Sequence, residues 1–141
     1  MTISLEKAQQ MVAETRAKAR TIGLKPLSVV VLDAGGHVLA FEREDGASPG
    51  RFEIARGKAY GAVMLGMPGS AQMARAEAQA YFMAAVNGAY GGKVIPVPGG
   101  VLVKDAAGEV VGAVGVTGDS SENDAEAALA GIAAAGFEGA A

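Results

Sequence analysis

The chain has 141 residues, half of them hydrophobic and 19% charged, with a net charge of −3 and no cysteine. This length and apolar content suit one folded domain spanning residues 1–141 and argue against disorder. The lack of cysteine excludes disulfides, thiolate metal sites and a cysteine nucleophile, and the 12 scattered basic residues leave no footprint for nucleic acid or an anionic membrane.

In chain order, Leu5, Ala8, Val12, Thr15, Ala19 and Ile22 recur at steps of three and four, one face of a helix. Thr2 or Ser4 can cap it, Gly23 suits its C-terminal end and Pro26 stops it. Leu27–Leu32 is a β-branched run that reads as a buried central strand. After the turn Asp33-Ala34-Gly35-Gly36, the alternating segment His37–Arg43 completes a hairpin. Glu44–Gly50 is a polar loop in which Ser48 can cap the next helix, with Pro49 in its first turn. Phe52–Leu65 reads as that helix. Its Gly57 and Gly61 share one face, which the spacing assigns to close packing on the sheet. Ser70 is placed to cap one further helix over Ala71–Val86, which Asn87-Gly88 ends.

Three apolar runs follow, Val94–Val97, Val101–Lys104 and Val110–Val116, separated by Pro98-Gly99-Gly100 and Asp105-Ala106-Ala107-Gly108. Both separators are turn sequences, so the expectation is a three-stranded antiparallel meander that other elements must cover. The second turn echoes the first hairpin: strand, Asp-Ala-x-Gly, strand. Ser121-Glu122-Asn123-Asp124 resembles a capping box opening a closing helix over Asp124–Ala135. The order is helix, two strands, two helices, three strands, helix. The expected fold is therefore an α+β sandwich with a five-stranded, mainly antiparallel sheet and helices on both faces. The density of Ala, Val and Gly, with few charges, also points to surface buried between subunits.

No phosphate loop, dinucleotide fingerprint or nucleophile elbow occurs. The single histidine, His37, sits just after a turn where the echo has Glu109, which reads as a solvated position. Met64, Met67, Met73 and Met83 read as core filler. The suggestive polar residues are scattered. Arg43 and Asp45 follow the second strand. Lys58 lies on an apolar helix face and needs a carboxylate or a ligand anion. Tyr90 and Lys93 flank a glycine pair. Thr117, Asp119 and Asp124 lie where the last strand meets the last helix, and capping is the expected role of the two acids. No leader pattern stands at the N-terminus and no uncharged run reaches the ~18 residues of a membrane helix, so the expected location is the cytoplasm.

Taken together, Val31–His37, Arg43-Glu44-Asp45-Gly46-Ala47, Lys58-Ala59, Pro96–Val101 and Val111–Gly118 resemble the successive signatures of the HbpS/GlcG family of haem-binding, haem-degrading proteins, which includes the C-terminal domain of PduO-type proteins. The resemblance covers essentially the whole chain. It implies a profilin-like sandwich and homo-oligomers, often tetramers or octamers. It also implies a shared site at Arg43, Asp45, Lys58, Gly99, Gly100, Thr117 and Gly118, and haem or a corrinoid as a ligand. On the first reading, apolar interface surface encloses the tetrapyrrole. Lys58, Arg43 or Lys93 meets its propionates, and Tyr90, Thr117 or His37 faces the iron. On the second, the protein is an enzyme acting on an oxo or hydroxy acid held by Arg43 and Lys58, with Asp45 or Asp119 as acid or base. A third reading, a structural or partner-binding module, predicts no convergence of these residues.

Overall fold

The computed structural model describes all 141 residues. The elements are α1 (Leu5–Thr21), β1 (Ser28–Asp33), β2 (Val38–Arg43), α2 (Arg51–Leu65), α3 (Gly69–Ala78), α4 (Ala80–Ala89), β3 (Gly100–Lys104), β4 (Val110–Thr117), α5 (Ser121–Ala134) and β5 (Glu138–Ala140). The strands form one antiparallel sheet in the order β2-β1-β4-β3-β5. Alternation along β1 divides the core. Val29 and Val31 face α1 and α5 together with Val101, Val103, Val114 and Val116. Val30 and Leu32 face α2 with Leu102 and Ala113. Helices thus cover both faces, and the fold is α+β as the sequence indicates.

Both hairpin turns use the same bonds, as their echo suggests. Asp33 Oδ1 accepts from the amides of Gly35 and His37, and Asp105 Oδ1 from those of Ala107 and Glu109. Gly36 and Gly108 take φ of 82° and 83°, which glycine adopts without strain.

Five expectations need correction. Val94–Val97 is no strand: Pro96 and Pro98 remove two backbone donors, and Ile95 N donates instead to Gly57 O on α2. The fifth strand is β5, too short and too rich in glycine to stand out from sequence. The Gly57/Gly61 face meets this 94–97 strap and Gln72, while Ala55, Ala59 and Ala62 meet the sheet. The helix expected over Ala71–Val86 is two helices, broken at Gln79 (φ −140°, ψ 65°), whose side chain accepts from Arg75 Nε. Helix caps also shift. Ser4 caps α1 as expected, but Gly50 and Pro68 occupy the cap positions of α2 and α3 in place of Ser48 and Ser70. Ser120, not Ser121, caps α5.

Candidate functional site

Helix α2 distributes the chemistry, because each of its faces meets a different neighbour. The alanine face lies on the sheet, where Gly115 of β4 leaves room: a Cβ there would fall 2.0 Å from Ala55 O. Lys58 turns toward the end of β4 and α5. Arg51 opens the helix, and Arg56 and Tyr60 point outward, toward the 90–95 segment.

Lys58 is 3% exposed and donates from Nζ to Val116 O at 3.0 Å and to Asp124 Oδ2 at 3.2 Å. The other Asp124 oxygen accepts from Asp119 N at 3.0 Å. Asp124 is therefore the buried partner of a lysine rather than the helix cap expected of it. Burial pushes the Lys58 pKa down and that of Asp124 up, and each partner pulls the other back. The glycine turn exists to cross this pair. A Cβ on Gly99 (φ 109°) would lie 2.6 Å from Val116 O and 2.9 Å from Lys58 Nζ, and one on Gly100 only 2.2 Å from Lys58 O. Thr117, itself buried, accepts from Arg51 Nη1 at 3.0 Å, and Gly118 packs against Pro26 O. The structure thus gathers Lys58, Gly99, Gly100, Thr117, Gly118 and Asp119 at the β4–α5 junction.

The remaining candidates lie elsewhere. Arg43 Nη1 donates to Ala47 O and braces the 44–50 loop. Asp45 lines an open polar cleft of about 230 Å³ with Arg16, Arg20 and Glu44. Arg43, Asp45 and Lys58 do not share a cavity. Asp119 accepts from Lys25 N, Ser120 N and Asn123 Nδ2, which hold its pKa down at about 2. His37 is exposed, pairing only with Asp33 at 3.2 Å. No group of three His, Cys, Asp or Glu is placed to hold a metal ion. Of the methionines, Met83 is core, and Met64, Met67 and Met73 are half-buried.

Tyr90 and Lys93 meet around a residue the sequence did not single out. The Tyr60 ring has Lys93 Nζ at 5.5 Å, the Arg56 guanidinium at 5.8 Å and Tyr90 edge-on at 6.0 Å. Beside it, Glu53, Arg56, Gly57, Gly92, Lys93 and Ile95 line a cleft of about 160 Å³. The strap on Gly57 and the bond from Val94 N to Asn87 Oδ1 hold this corner together. Tyr90 also ends α4, a helix with no charged residue, which packs against α3, buries only Met83 and leaves Tyr81 73% exposed.

Arg51, Arg56, Tyr60 and the Lys58–Asp124 pairing were missed. Arg51 carried a signal, because a cation in a first helical turn opposes the macrodipole and such local conflicts mark function. Arg56 and Tyr60 stand at i,i+4 spacing, which places them together on one face. The partner of Lys58 is 66 residues away, and no local pattern reports it.

A five-stranded antiparallel sheet between α1/α5 and α2, with an aromatic and cationic corner beside a largely exposed apolar helix, defines a small α+β fold. The chain belongs to the HbpS-like haem-degrading protein family, whose model matches residues 3–133. It is 35% identical over 133 residues to an uncharacterised 15.0 kDa protein from the dhaT–dhaS intergenic region of Citrobacter freundii, covering 91% of this chain and 90% of that one. Among solved structures, the PduOC–haem complex superposes with a TM-score of 0.87 at 23% identity, over the whole of both chains. Klebsiella pneumoniae ORFY gives 0.84 at 27% identity, covering 96% of this chain and 91% of that one. HbpS from Streptomyces reticuli, as a double mutant, gives 0.79 at 29% identity, covering 94% and 86%. No helix is long and apolar enough to cross a membrane.

Proposed function

We propose that the protein binds haem at the Tyr60–Tyr90–Lys93 corner and does so as a homo-oligomer. The observation that carries this is the corner itself: two phenols and two cations side by side, continuous with a charge-free, exposed helix. The donor chemistry fits. A tyrosine oxygen is an established axial ligand of haem iron, and Arg56 and Lys93, which make no ion pair although Glu53 shares their cleft, suit two propionates. A corrinoid, whose side chains end in neutral amides, has less use for those cations. Membership of the HbpS-like family and the haem-bound PduOC relative support the same ligand.

The cleft of about 160 Å³ takes one edge of a macrocycle, well short of the ~300 Å³ or more of ordinary ligand pockets. The rest of the ring would lie on apolar surface, and α4 of this copy or a second one supplies it. Lys58 has no part in this reading, because its charge is met inside the protein by Asp124. Bound haem would supply an iron centre for redox chemistry. The residues of this chain would orient the ring, meet its propionates and keep water from one face. Haemin titration followed at the Soret band, with native mass spectrometry, tests the reading. A saturable shift at a fixed haem-to-subunit ratio is expected, and a featureless, non-stoichiometric rise would overturn it.

A further inference from the structure

A second cleft stands apart from the Tyr60 corner. Lys25, Pro26, Gly46, Ala47, Ser48, Arg51 and Gly118 enclose about 220 Å³ between the 44–50 loop, the first turn of α2 and the end of β4. Arg51 is held there by neutral partners: Nε donates to Ser48 Oγ and Nη1 to Thr117 Oγ1, both at 3.0 Å. Its Nη2 has no protein acceptor and the guanidinium no ion-pairing carboxylate, although other arginines of the protein, Arg16 and Arg20, pair with Glu44. A cation oriented by two hydroxyls, at the end of the helix where the macrodipole already disfavours it, lacks the anion that would offset its position. Lys25, which also lines the cleft, adds a second positive charge and makes no ion pair.

We propose that this cleft binds the carboxylate of a small monoanionic acid, with Arg51 Nη2 and Lys25 Nζ meeting the carboxylate and the short carbon chain lying on Pro26, Ala47 and the two glycines. The charge count favours a monoanion over phosphate. Two cations line the cleft, and the ionised Asp119, which accepts from the backbone of Lys25 just outside it, lowers the positive charge of this region. The glycines let the walls of the cleft approach one another. Gly46 takes φ 89° against Pro26, and a Cβ on Gly118 would fall 2.3 Å from Pro26 O. Arg43 is a positioning residue here, since its bond to Ala47 O braces the loop that forms one wall. This replaces the expected pairing of Arg43 with Lys58 around an acid by a different pair of cations.

Saturation-transfer-difference NMR with pyruvate, which suits weak ligands and large assemblies, provides the test, with pyruvamide as the uncharged analogue and inorganic phosphate as competitor. The expected result is saturable transfer to pyruvate, none to pyruvamide, and no displacement by an equal concentration of phosphate. Arg51→Gln should weaken binding about ten-fold or more and Lys25→Gln about three-fold, as expected for losing one charge-assisted contact in each case. Lys25 is exposed and its side chain bonds to nothing, so Lys25→Gln tests the site even if Arg51→Gln folds poorly. Absence of saturable binding, wild-type affinity in Lys25→Gln, or displacement by phosphate at lower concentration than pyruvate would each overturn the proposal.

Discussion

Two cations on α2, Arg51 and Lys58, stand seven residues and about two helical turns apart, and the protein treats them oppositely. Lys58 is buried, paired with Asp124 and sealed beneath Gly99 and Gly100. Arg51 is half-exposed and held only by hydroxyls. Removal from water is costly enough that an interior charge needs an interior counter-charge, so Lys58 serves the fold. A surface cation can wait for a ligand, so Arg51, and likewise Arg56 and Lys93, remain available to bind.

The comparison can be broken most directly at Lys58. Lys58→Met leaves Asp124 buried and alone and should cost about 3–5 kcal/mol in urea unfolding. Adding Asp124→Leu should recover much of that, and a double variant no more stable than the single would contradict the pairing. Gly100→Ala drives a methyl group into the backbone of Lys58 and should cost about 1–3 kcal/mol by thermal unfolding. On the surface side, Arg56→Ala combined with Lys93→Ala should weaken haemin binding about ten-fold with little change in stability. The smallest effect is at Asp119. Its folded pKa of about 2 lies below the ordinary 3.8, so its contribution is present above about pH 4 and fades as pH falls toward 2. Asp119→Asn should flatten that part of the acid-unfolding curve, and an unchanged curve would remove Asp119 from the account.

Local patterning made most of the fold legible. Helix periodicity, the Asp-Ala-x-Gly turns and the β-branched runs report the structure of their own neighbourhoods, and α1, β1, β2, β3, β4 and α5 follow from them. The exceptions were decided at a distance. Val94–Val97 looks like a strand, but its partner is a glycine face on α2, and β5 is a strand only because β3 offers an edge. The site was less legible for the same reason. Tyr90 and Lys93 are close in sequence, but Tyr60, which joins them, lies on another element and carries no local signal of that contact. Lys58 announced its need for a counter-charge but not where that charge was. Arg51 carried only the faint mark of a cation at the wrong end of a helix.

The most direct test is a haemin titration of the wild type beside Tyr90→Phe, Lys93→Ala and Arg51→Gln, each confirmed folded by circular dichroism. Haem binding at the Tyr60 corner predicts a saturable Soret shift in the wild type, a changed spectrum or weaker binding in Tyr90→Phe and Lys93→Ala, and wild-type behaviour in Arg51→Gln. Equal titrations for all four proteins, or a loss confined to Arg51→Gln, would contradict it.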